Sequence, residues 1–144
     1  MVRKNTTMKT KKAKAGTKAR ILIVDDDPDI LELFGVLLEK AGYEVSKAEH
    51  ALAAVAAVVR AAPDLILADI RMPIVDGKEL AHELKSHPDS RDIPVIAVTG
   101  YDIPGTRESA LKSGYDDYLT KPIDAKTFTD QVAGFLKRFK RNKK

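Results

Sequence analysis

The sequence predicts an α/β fold in which a parallel five-stranded sheet is covered by helices on both faces. Three observations predict it. Five short apolar runs of strand length alternate with five stretches of helical periodicity, and each intervening helix carries the chain back across the sheet, so successive strands lie parallel. Runs such as RILIV (20–24), LILA (65–68) and PVIAVT (94–99) are continuously apolar, as strands buried on both faces require. A chain of 144 residues holds one domain of ordinary size, which favours a small open sheet over a barrel.

Taken in order, strand one runs over 20–24 and meets Asp25, Asp26 and Asp27. Asp27 is the expected N-cap of helix one, with Pro28 at its first position and Ile30, Leu31, Phe34, Leu37 and Leu38 on one face until Gly42 stops it. Strand two contains Val45. Helix two, 50–62, is rich in alanine, a strong helix former of small volume, and closes at Pro63 and Asp64. Strand three is the apolar run that drives into Asp69. Asp76 and Gly77 then read as loop, and helix three covers 78–86 around Leu80 and Leu84. Strand four is 94–99 and helix four 105–113. Strand five, 115–119, leads to Thr120, Lys121 and Pro122, after which Asp124 caps a last helix whose apolar face is Phe128, Val132, Phe135, Leu136 and Phe139. This is a flavodoxin-like (βα)5 three-layer sandwich with expected strand order 2-1-3-4-5.

Charge is segregated along the chain. Of 25 basic residues, eight lie in 1–20 and six in 137–144, where there are no acids, leaving 11 in the middle against all 21 acidic ones. The expected organisation is a basic, disordered tail over 1–19, one domain over 20–140, and a basic end over 141–144. Such tails give at most weak, salt-dependent attraction to polyanions, and no sequence-specific nucleic-acid binding is expected. The lack of cysteine excludes disulfides and thiol chemistry. No run is long enough to span a membrane and no apolar segment follows the basic start, so a soluble, cytoplasmic protein is expected.

In a parallel sheet the ends of strands one, three, four and five share one edge, where ligands gather. The sequence puts Asp25 and Asp26, Asp69, Thr99 and Lys121 there. Crowded carboxylates repel unless a cation lies among them, and a hard-oxygen set suits Mg²⁺. Lys121 adds a point charge and Thr99 a hydroxyl, so the edge reads as a seat for a small tetrahedral anion. Each residue alone is commonplace in a turn or at a strand end. Their joint occurrence at four strand ends carries the reading.

With these motifs in place, the chain over 20–139 resembles the receiver domain of bacterial two-component response regulators, of the stand-alone CheY-like kind. The matching pieces are VDDDPD (24–29), PDLILADIRMPIVDG (63–77), IPVIAVTG (93–100) and GYDDYLTKPID (114–124). The resemblance implies that Asp69 is the phosphoacceptor and that Asp25, Asp26, Asp69 and the Arg71 backbone carbonyl ligate Mg²⁺, with Mn²⁺ as an alternative. It further implies that Thr99 is the switch hydroxyl, Tyr118 the aromatic that turns inward with it, and Lys121 the lysine that pairs with phosphate, before a cis peptide at Pro122. The expected partners are a histidine kinase or histidine phosphotransfer protein, and a downstream protein docking on helix four, strand five and helix five. A weak dimer is compatible with this. Such a protein promotes its own phosphorylation and dephosphorylation and is not a turnover enzyme.

The match ends without an output domain, so signal is expected to leave through protein contacts or onward phosphotransfer. Bulky Arg71 and Tyr101 are expected to restrict water at the acyl phosphate. A haloacid-dehalogenase-type phosphatase shares an aspartate pair, Asp25 and Asp27, a Thr and a Lys, but it leaves Asp69 unexplained. A pseudo-receiver that binds without phosphorylation is disfavoured, since every titrating residue is present. His50, His82 and His87 form no constellation with the acids and read as surface residues.

Overall fold

The computed structural model describes residues 18–70, 75–100, 106–121 and 124–140, with the backbone alone for residues 69, 70, 75–79, 106 and 140. Five strands, β1 (Arg20–Val24), β2 (Glu44–Ala48), β3 (Leu65–Ile70), β4 (Val95–Thr99) and β5 (Asp117–Thr120), alternate with five helices. These are α1 (Pro28–Lys40), α2 (Ala51–Arg60), α3 (Val75–Ser86), α4 (Thr106–Lys112) and α5 (Ala125–Lys140). All strand pairs are parallel and the order is β2-β1-β3-β4-β5, as expected.

Alternation along each central strand sorts the core into two layers. Leu22, Val24, Ile66, Ala68 and Ala97 face one side, packed by α2, α3 and α4 through residues such as Ala54, Val58, Leu84 and Ala110. Ile21, Ile23, Leu67, Ile96 and Val98 face the other, where α1 and α5 bring Phe34, Leu38, Phe128 and Val132. The rings of Phe34 and Phe128 meet at 5.0 Å between centroids, joining the two helices of that layer.

Local signals account for the helix ends. Asp27 caps α1 by accepting the Asp29 N–H at 2.9 Å, and Pro28 opens the helix. Gly42, at φ +100°, takes the left-handed turn that a helix stop requires. Asp124 starts α5 by accepting the Thr127 N–H at 3.1 Å. Two expectations change. Asp76 and Gly77 lie inside α3, because the turn chemistry of Asp-Gly is outweighed by continuation of the helix that buries Leu80, Ala81 and Leu84. Tyr115 precedes β5 rather than opening it. Its N–H bonds to the Ala110 carbonyl at 3.1 Å, closing α4. Burial among apolar side chains raises the pKa of the Tyr115 phenol.

Candidate functional site

Register places the strand ends side by side. Val24 pairs with Ala68, so the next residues, Asp25 and Asp69, stand level on neighbouring strands. Asp69 pairs with Val98, and Ile70 with Thr99. Thr99 pairs in turn with Thr120, immediately before Lys121. With adjacent strands roughly 4.8 Å apart, Asp69 stands one strand from Asp25, one from Thr99, and two from Lys121.

Each position is fixed by the backbone around it. Asp25 is 3% exposed, and its N–H donates to the Ala48 carbonyl at 3.0 Å, extending the β1–β2 ladder by one bond. Its Oδ1 accepts the Asp27 N–H at 2.8 Å, an Asx turn that holds the buried carboxylate at the mouth of the β1–α1 loop. Asp26 is exposed beside it. Thr99 is 1% exposed, and its carbonyl accepts the Lys121 N–H at 2.8 Å, so Lys121, just past β5, is tied beside the end of β4. The Lys121 side chain is half-buried. Tyr118, in register with Ala97, is half-buried against the α2–α3–α4 layer.

The strand-end residues expected from the sequence thus share one edge of the sheet. Arg71, Tyr101 and Pro122 lie outside the described residues. One role the sequence reading missed is that of the Asp27 N–H: it orients Asp25, while the Asp27 carboxylate caps α1 as expected. The signal was present in the Asp-x-Asp-Pro-Asp spacing, which supplies two successive Asx turns. His50 is exposed as expected but also caps α2, its Nδ1 accepting the Ala53 N–H at 3.1 Å.

At the same edge, the Thr127 N–H and hydroxyl hold the Asp124 carboxyl below the usual carboxylate range, with a smaller contribution from Lys126. Among the described residues no group of three or more His, Asp or Glu side chains forms a metal site. Asp25 and Asp26 supply two adjacent carboxylates, one buried and one in water, and this donor set fits a hard divalent cation that keeps several of its waters. No helix among the described residues is long and apolar enough to cross a membrane.

Comparisons with known proteins point to one family. The family model of the response regulator receiver domain matches residues 21–133. The polar-differentiation response regulator DivK of Brucella anthropi is 36% identical over 81% of this chain and 94% of its own length. The DNA-binding dual master transcriptional regulator RpaA of Synechocystis is 40% identical over 83% of this chain, which spans 49% of RpaA. Among solved structures, the receiver domain of a sensor histidine kinase of Pseudomonas aeruginosa, with magnesium in its active-site cleft, superposes with TM-score 0.70 at 31% identity, covering 85% of this chain and 98% of that one.

Proposed function

Because this chain belongs to the response regulator receiver family of two-component systems, we propose that it takes a phosphoryl group from phosphohistidine onto Asp69. The single observation that carries the reading is the row of strand ends, with Asp25 level with Asp69 and the Lys121 N–H tied to Thr99. In the proposed step a carboxylate oxygen of Asp69 attacks phosphorus. The new P–O bond forms as the P–N bond breaks, and the imidazole leaves with the electron pair and takes a proton. The Lys121 ammonium pairs with one phosphoryl oxygen and the Thr99 hydroxyl donates to another. Asp25, Asp26, Asp69 and the Arg71 carbonyl would hold Mg²⁺ or Mn²⁺, which neutralises charge on the transferring oxygens when bound. The Asp27 N–H keeps Asp25 aimed into this site.

The phosphate adds about −1.5 to −2 charges beside Thr99 and Lys121. Its contacts there favour one arrangement of β5 and α4, which Tyr118, packed on the α4 layer, carries to a protein partner on α4, β5 and α5. The receiver unit is residues 20–140, with the basic tails outside it. The donor is a histidine kinase or phosphotransfer protein, the two meet in the cytoplasm, and the chain turns over no separate substrate. The family match and the place of Asp69 in the row support this reading over a phosphatase.

Incubation with acetyl phosphate and Mg²⁺, read by intact mass, is the test. One added phosphoryl group is expected on the parent chain and none on Asp69→Asn. A parent chain that gains no mass, or a variant that gains as much as the parent, would overturn the proposal.

A further inference from the structure

The outward face of α2 is apolar where a surface helix is ordinarily polar. From Ala51 to Val59 the helix has no charged or hydrogen-bonding side chain. Its buried side, Ala54, Val55, Ala57 and Val58, fills the core layer. The opposite side holds Leu52, Ala56 and Val59, spaced to lie within one narrow arc. Leu52 is 73% exposed and Val59 60%, the two most exposed large apolar residues among those described. Arg60 closes this arc at the C-terminal end and Glu49 precedes the helix at the other, both exposed.

We propose that this face is a self-association surface on which α2 packs antiparallel against α2 of a second copy. The face is complementary to itself. A two-fold axis near Ala56 sets Leu52 of one copy against Val59 of the other, twice, with the small Ala56 at the crossing where the backbones approach most closely. The same operation sets each Arg60 level with the other copy's Ala51, two residues from its Glu49, so the exposed charges described at the two ends of the patch approach with opposite sign. A parallel arrangement would set like against like. A ten-residue helix is about 15 Å long, and one such face falls well short of the ~800 Å² per partner of a stable complex. The dimer is therefore weak and concentration-dependent. This surface is separate from phosphotransfer, since α2 carries none of the proposed site residues.

The natural chain has no cysteine, so a single introduced thiol reports its own neighbours. A disulfide needs Cα atoms roughly 4.4 to 6.8 Å apart, and only residues near the axis meet that condition. Under mild oxidation Ala56→Cys is expected to form a covalent dimer several-fold faster than Glu39→Cys, an exposed control on α1. In sedimentation across micromolar to millimolar chain, Leu52→Glu should weaken association on the order of tenfold or more. Arg60→Glu should weaken it less, and the Glu49→Arg/Arg60→Glu pair should restore it. A chain that stays monomeric throughout, Ala56→Cys crosslinking no faster than the control, or a dimer indifferent to Leu52→Glu and Arg60→Glu would each overturn the proposal. Capture of some other protein by this face without self-association would count against it too.

Discussion

The two edges of the sheet use the same residue type in opposite ways. At the amino edge, acids bridge neighbouring elements. The Asp64 carboxylate accepts the Arg20 N–H at 2.8 Å, and Asp116 accepts both the Lys85 ammonium and the buried Val95 N–H, each at 2.8 Å. Arg138 of α5 pairs with Asp117 at the start of β5. At the carboxyl edge, Asp25, Asp26 and Asp27 follow one another directly, the Asp27 N–H holds the Asp25 carboxylate, and Asp25 stands level with Asp69 on the neighbouring strand. Acids at the first edge neutralise donors that would otherwise be orphaned, which stabilises the fold. Acids at the second follow one another at a strand end, an arrangement that the proposed cation and phosphoryl site would use and that places like charges near each other.

If that division holds, substitutions at the two edges should separate stability from phosphorylation. The largest loss of stability is expected at Asp116. Asp116→Ala removes the Lys85 ion pair and leaves the buried Val95 N–H unsatisfied, a cost of about 2 to 3 kcal/mol. Urea denaturation should show a lower midpoint at unchanged slope, while the folded fraction still takes up phosphoryl group as the parent does. Equal loss of both properties would erase the distinction.

The complementary experiment lies at the other edge. Asp25→Asn keeps an oxygen for the Asp27 N–H while removing one of the crowded charges. In chelated buffer the variant should be more stable by about 1 kcal/mol, the scale of the repulsion between two like charges about 4 Å apart in water. Adding Mg²⁺ should reverse the order: at a hundred times its dissociation constant the ion stabilises the parent by about 2.7 kcal/mol, and the variant much less. Phosphoryl uptake should fall at least about tenfold, which is about 1.4 kcal/mol of barrier. A variant less stable than the parent without metal would mean that Asp25 is a structural acid like those of the amino edge.

The carboxyl edge was the more legible of the two in the sequence, for a physical reason. Its residues follow immediately on apolar strands, so Asp25, Asp69 and Thr99 announce themselves by breaking a pattern, and parallel topology then gathers them. The sheet order and the helix caps at Asp27 and Asp124 were legible in the same way, from local chemistry repeated along the chain. The Lys85–Asp116 pair was not, since its partners are 31 positions apart and either would read as an ordinary surface charge. Nor was the extent of α3, where Asp76-Gly77 carries a turn signal that only the packing of Leu80, Ala81 and Leu84 overrides. The alanine content of α2 was visible, but which of its faces is left uncovered depends on the layer against which it packs.

Asp124 tests whether the carboxyl edge is uniform in its use of acids. It stands at the start of α5, yet its carboxylate accepts the Thr127 N–H at 3.1 Å and the Thr127 hydroxyl at 2.9 Å, as an amino-edge acid would. Those two bonds, in that order, lower its pKa in the folded chain. A carboxyl whose folded pKa lies below its unfolded one contributes stability above the unfolded value, and loses it as pH falls through the folded value. Asp124→Ala should therefore be slightly less stable than the parent at neutral pH, and the gap in urea midpoint should close as the buffer is taken below the ordinary carboxylate range. Phosphoryl uptake should not change, since the side chain serves to cap the helix. A gap that stays constant into acid would assign the loss to helix propensity rather than to the charged cap, and a fall in uptake would move Asp124 from the frame of the site into the site itself.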